Sequence, residues 1–232
     1  MERSEDAYVS VSIESEATFR DRGSKFLAFC RPVESEEEVQ YALQSISADH
    51  PKANHLCYAY RLGVNGHPYR ANDDGEPSGS AGKPILNAIL SAGISDILIG
   101  VVRYFGGTKL GVPGLINAYR TSADMVIAAN DFRQEFVTVT VRMYYPVADT
   151  GRIYDILKRS QVSSYENHYG TRTYMKLSVR ATKVSETIHL IKARYMNYAP
   201  SELDHNLDLP DLTFEIDGVG REDERHSEMK SS

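Results

Sequence analysis

Cysteine is scarce in this chain: Cys30 and Cys57 are the only two among 232 residues. Two thiols so far apart make neither a disulfide framework nor a zinc site. Both lie in strand-like runs, SKFLAFC and HLCYAY, which predicts buried, reduced thiols and a cytoplasmic protein. Long apolar runs are missing too. The longest, around Val101, falls well short of the roughly 20 residues a membrane span needs. The opening MERSEDAY lacks the apolar core of a secretory signal, so no membrane partner is expected.

Several catalytic signatures are absent as well. A P-loop needs a glycine at position 77 and a serine or threonine at 84, and the chain has Pro77 and Pro84. No G-x-G-x-x-G follows a strand and no G-x-S-x-G elbow is present. Neither a cofactor nor a metal is expected, and binding is favoured over catalysis.

Nor is there an excess of positive charge, since the formal net charge is −6. That argues against a chain coated throughout for nucleic acid. The charge is unevenly spread, however. Residues 1–49 and 197–232 are strongly acidic, whereas residues 151–196 carry nine Lys and Arg against three Asp and Glu. This leaves room for a local basic surface.

The apolar pattern predicts two α+β domains and a tail. In residues 1–134, Val9, Val11 and Ile13 alternate as a strand that would pair with KFLAFC in a hairpin. Ser35 with Glu38 forms a capping box ahead of a helix bearing Val39, Leu43 and Ile46. HLCYAYRLG gives another strand, and Ile97 to Val102 read as a strand covered on both faces. In residues 135–217 the order is βαββαβ, a ferredoxin-like arrangement, with helix starts at Asp149 or Thr150 and at Ser185. Residues 218–232 lack apolar spacing and are expected to be disordered.

Two glycine-rich loops, each opening a helix, form the densest stretch. The first runs from Asp73 to Lys83 and the second from Gly106 to Gly114. Unsatisfied N–H groups at helix starts favour anions, so Ser80, Lys83, Thr108 and Lys109, with Arg103 and Arg120, are candidate anion or nucleic-acid contacts. Asp73, Asp74 and Glu76 form a candidate acidic site. Alternatively, Asp73 and Asp74 shape a turn while Glu76 sits in solvent, and Arg103 is held by a carboxylate. In TRTYMKLSVRA, Arg172, Tyr174, Lys176 and Arg180 share one strand face, a mix of rings and cations suited to stacking bases and touching phosphates. His168 and His189 read as ordinary surface or strand-edge residues.

The strings DDGEPSGSAGKP and VVRYFGGTKLG, preceded by SKFLAF and NHLCYAY, resemble the YigZ/IMPACT family across about residues 20–130. The second unit resembles the extra domain of bacterial YigZ-type members. The resemblance implies a first domain like the second domain of ribosomal protein S5 and a second like the last domain of elongation factor G. Eukaryotic members bind a regulator of a translation-control kinase, so translation regulation is the implied setting. The chain departs from the family pattern at Pro113 and Asn117. Two functions follow as expectations. One is a protein contacting RNA, the ribosome or a translation-control partner. The other is an enzyme or binder of a phosphorylated small molecule, using Asp73, Asp74 and Glu76 with Lys83 and Lys109.

Overall fold

The computed structural model describes residues 6–160, 162, 164–170, 172–204 and 207–220. The chain divides into two compact units, Tyr8–Glu135 and a second made of Met1–Ala7 with Phe136–Ser232.

The first unit holds β1 (Ala7–Val11), β2 (Ser15–Asp21), β3 (Ser24–Pro32), α1 (Glu36–Asp49), β4 (His55–Arg61), β5 (Tyr69–Asn72), α2 (Gly82–Ala92), β6 (Ile97–Tyr104), α3 (Gly111–Ala128) and β7 (Phe132–Phe136). Its main sheet runs β2-β3-β6-β4-β5, with all neighbours antiparallel. The hairpin partner of β3 is therefore β2. β1 instead pairs with β7 in a separate two-stranded sheet. The segment ATFRD carries a weak alternation, which concealed β2, and Ile13 falls outside β1 with half its surface exposed.

The central strand β6 explains the layering. Leu98, Gly100 and Val102 point to α1, where Gly100 leaves room for Ile46 and Leu56. Ile97, Ile99 and Val101 point the other way, into a core with Ile85 and Ile89 of α2 and Leu115, Tyr119 and Val126 of α3. Burial on both faces is why this strand reads as an unbroken apolar run. α1 begins as its capping residues dictate. Ser35 Oγ accepts the Glu38 N–H at 3.2 Å, and the Glu38 carboxylate reaches back to the Glu34 N–H at 2.8 Å.

The second unit contains β8 (Thr138–Tyr144), α4 (Thr150–Leu157), β9 (Ser164–His168), β10 (Tyr174–Arg180), α5 (Val184–Met196) and β11 (Thr213–Gly220). The sheet order β11-β8-β10-β9 and the antiparallel registers give the ferredoxin-like topology. Val139, Val141 and Met143 join Met175, Leu177 and Val179 beneath Ile153, Leu157 and Ile191 of the helices. Two local expectations change. Asp149 stands at the N-cap position of α4 but makes no capping bond with its side chain: its carboxylate accepts the Tyr195 hydroxyl at 2.6 Å, while Thr150 Oγ1 donates to Val147 O. Residues 218–220, expected to be disordered, complete β11, and residues 221–232 lie outside the described residues.

Candidate functional site

The first glycine-rich loop folds around its own carboxylates. Asp73 Oδ1 accepts the N–H groups of Ala81 and Gly82 at 3.0 and 2.8 Å, and Oδ2 accepts that of Gly79 at 2.8 Å. Burial works against the charge, but these three donors outweigh it and hold the Asp73 carboxyl below its usual range. The start of α2, which the sequence offers as an anion site, is thus capped by the chain itself. Asp74 sits in the left-handed region at φ 43°, followed by Gly75 at φ 84°. Its Oδ2 takes the Leu56 N–H at 2.7 Å, and its carbonyl lies 2.6 Å from His55 Nδ1. Gly82 has no freedom to be anything larger, because a Cβ there would lie 2.5 Å from the Asn72 nitrogen.

Glu76 is buried rather than solvated. The turn Asp73–Glu76 aims its side chain inward, where Oε1 meets Arg103 Nη1 at 2.5 Å and accepts the Tyr119 hydroxyl at 2.8 Å. The two charged side chains are only 4% and 7% exposed. Arg103 stands at the end of β6 between Phe26 of β3 and His55 of β4, its partners in register. Its guanidinium lies 5.5 Å from the rings of both Phe26 and Phe105. His55 Nε2 is 4.0 Å from Glu76 Oε1. Cys57 Sγ contacts the Tyr119 hydroxyl at 3.3 Å and Asp73 O at 3.0 Å. Burial drives the Cys57 thiol up to about 12 and raises the Tyr119 phenol as well, so neither ionises near neutral pH. Ser80 Oγ and Arg103 Nε are buried with no hydrogen-bond partner.

This cluster closes the end of the sheet. A buried carboxylate needs a cation and a donor, and Glu76 has both. His55, Cys57 and Tyr119 belong to it, and no motif in the sequence marks Cys57 or Tyr119 as site residues. The available signal was the polar residue at each strand or helix position nearest the glycine loops.

The second loop is displayed differently. Thr108 and Lys109 are exposed, as is Lys83 of the first loop. Neither lysine forms an ion pair with a described residue; Asp73, Asp74 and Glu76 are engaged by backbone N–H groups and by Arg103. Gly106 packs so tightly that an added Cβ would stand 1.8 Å from the Gly23 carbonyl carbon. Arg120 is paired along α3 with Asp124 at 2.8 Å. Among the described residues, no group of His, Cys, Asp and Glu could hold a metal ion, and no helix is long and apolar enough to cross a membrane.

In the second unit, β10 turns Tyr174, Lys176, Ser178 and Arg180 away from the helices, beside Thr140, Arg142 and Tyr144 of β8. At one end of this face the rings gather. His168 stacks on Tyr174 at 4.7 Å and 9°, Tyr144 lies 5.4 Å from Tyr174, and the Arg172 guanidinium sits 4.0 Å over Tyr144. His168 is therefore part of a ring cluster, and His189 is a buried helix residue whose Nε2 meets Pro200 O at 2.7 Å. The cations of the face have acidic neighbours. Arg142 pairs with Asp217 at 2.7 Å, Lys176 with Glu166 at 3.9 Å, and Arg180 with Asp6 at 2.8 Å.

Comparison with known proteins places these features in a family. Residues 22–127, which span both glycine loops and the Glu76 cluster, match the Impact N-terminal domain. IMPACT family member YvyE of Bacillus subtilis (strain 168) is 38% identical over 149 residues, covering 63% of this chain and 67% of that protein. An IMPACT family member of Thermus thermophilus is 38% identical over 164 residues, covering 66% of this chain and 84% of its own length. The crystal structure of a hypothetical protein shares the fold, with TM-score 0.70 at 22% identity over 94% of this chain and 99% of that one. Sequence identity at this level, extending beyond the first unit and over most of each relative, means that the chain belongs to the IMPACT family.

Proposed function

We propose that this protein acts by binding, in the control of translation, and that it contacts single-stranded RNA through the sheet face of its second unit. The observation that carries this reading is the ring cluster His168–Tyr174–Tyr144 with Arg172 and Arg142 beside it. Rings offer flat surfaces on which unpaired bases stack, and arginine adds cation–π and phosphate contact. Family membership supplies the setting. In the first unit, the exposed Lys83, Thr108 and Lys109 offer a surface of their own to RNA or to a translation-control partner.

The mixture of cations and acids on the sheet sets the character of the interaction. With Asp6, Glu166 and Asp217 next to Arg180, Lys176 and Arg142, few net counterions are released on binding. Stacking therefore dominates. Fluorescence anisotropy with a labelled uridine oligomer tests this. Tyr174→Ala weakens binding by about 1–3 kcal/mol, the usual worth of one stacked base, with a shallow salt dependence. Full-strength binding by Tyr174→Ala, or no binding by the parent, overturns the sheet-face reading.

A further inference from the structure

The basic excess of residues 151–196 divides between two faces of the second unit, and only one of them stays positive. On the sheet, Lys176 and Arg180 each meet an acid, as does Arg142 of β8, while Arg172 donates to Thr213 Oγ1. On the opposite, helical side, a cavity of about 580 Å³ opens between α4 and α5, lined by Arg152, Arg159, Arg194, Asp155, Asn197 and Tyr198. Three cations face it against one carboxylate, and that carboxylate already has Lys158 3.6 Å away.

Two of the arginines are held in place by backbone. Arg152 Nη2 donates to the Tyr195 carbonyl near the end of α5, and its guanidinium lies 4.7 Å from the Tyr195 ring. Arg194 Nη1 donates to the Arg159 carbonyl just past α4 and to Ser160 Oγ at 3.0 Å. Each helix C-terminus thus receives a guanidinium from the other helix, which suits the negative end of the helix dipole. A guanidinium carries five N–H donors, so each keeps donors free after these bonds. The Arg159 side chain is exposed and makes no hydrogen bond or ion pair with a described residue. Tyr198, 52% exposed, adds a ring at the rim.

We propose that this cavity is a phosphate-binding site, in which Arg152, Arg159 and Arg194 hold a ligand carrying at least two phosphate groups and Tyr198 lies beside its organic part. Planar guanidinium forks match phosphate oxygens two at a time. The volume suits a nucleotide-sized ligand. The phosphates belong either to a free nucleoside diphosphate or to successive links of an RNA backbone. The site stands apart from the sheet-face reading and does not depend on it.

The test is calorimetric titration of the full chain with inorganic pyrophosphate, ADP and a short uridine oligomer, each against the parent, Arg159→Glu and Tyr174→Ala. Arg159→Glu removes a side chain that supports no other group, so the fold survives, and a melting curve checks this. Binding of pyrophosphate and ADP that falls at least about tenfold in Arg159→Glu, as loss of a charge-assisted contact implies, supports the site with a free nucleotide as its source. The same loss seen with the oligomer alone supports it with RNA as the source. Tyr174→Ala leaves pyrophosphate and ADP binding unchanged, and any oligomer loss it causes adds to that of Arg159→Glu, which separates this site from the sheet face. Absence of binding to all three probes, or binding indifferent to Arg159→Glu, overturns the proposal.

Discussion

Replacing Glu76 with Gln measures how much of the first unit rests on the buried cluster. The substitution keeps the shape and can keep a hydrogen bond to the Tyr119 hydroxyl, but it removes the charge 2.5 Å from Arg103. Arg103 cannot lose its proton to escape, and its side chain is only 7% exposed. Its Nε is already without a hydrogen-bond partner. Breaking a buried pair from one side costs about 3–5 kcal/mol, because the surviving charge stays buried and uncompensated. At about 2–4 °C per kcal/mol for a chain of this size, the melting temperature falls by roughly 6–20 °C. Arg103→Met also destabilises, since it leaves the buried Glu76 carboxyl with the Tyr119 hydroxyl but without its cation. The double variant Glu76→Gln/Arg103→Met removes both charges and recovers most of the loss. Circular dichroism melts of the parent, the two single variants and the double variant close the cycle. The expected coupling is about 2 kcal/mol or more, within the range found for contacting residues. A Glu76→Gln protein that melts within about 2 °C of the parent refutes the reasoning, as does a double variant whose loss equals the sum of the singles.

Other outcomes follow from the loops. The Asp73 carboxyl is held low by three N–H donors, so its stabilisation is complete above its unfolded pKa and disappears as pH falls through that value and then the lower folded one. Melting temperatures across the acid range drop less steeply in Asp73→Asn, which starts lower at neutral pH; equal acid slopes in the two proteins count against the assignment. Gly106→Ala drives a Cβ to 1.8 Å from backbone and prevents soluble folding, whereas Gly107→Ala meets no atom within 4 Å and suffers only the strain of φ 84°, roughly 1 kcal/mol. Expression yield with a thermal melt distinguishes them, and a stable Gly106→Ala protein contradicts the packing described.

The sequence patterns were most informative where one physical cause acted alone. β6 lies between two helical layers, so its apolar run needed no context. The Ser35 and Glu38 capping pair is local, and α1 starts there. The βαββαβ order of the second unit followed from alternation in β8 and β10. The weak strands were hidden because their residues serve sheet edges: β5 is largely exposed and β2 only half buried. The direction of Glu76 was illegible for another reason. Its neighbours Asp73 and Asp74 turn to backbone N–H groups while Glu76 crosses to Arg103 on a strand 27 positions later. Three adjacent carboxylates of similar chemistry are separated only by the turn at Asp74 and Gly75.

The same limitation governs charge. A count along residues 151–196 registers a positive segment but cannot see acids supplied from elsewhere, and Asp6 and Asp217 reach the sheet from the two ends of the chain. Pairing in space therefore moves the uncompensated charge from the strand that advertised it to the helices that did not, where Arg152, Arg159 and Arg194 face Asp155 alone. The sheet keeps its rings and gives up most of its net field. The proposed base stacking on one face and the proposed phosphate capture on the other therefore rest on different elements of a single small fold. Because the rings and the arginines sit on different elements, variants at Tyr174 and Arg159 can be read independently of each other and of the Glu76 cluster.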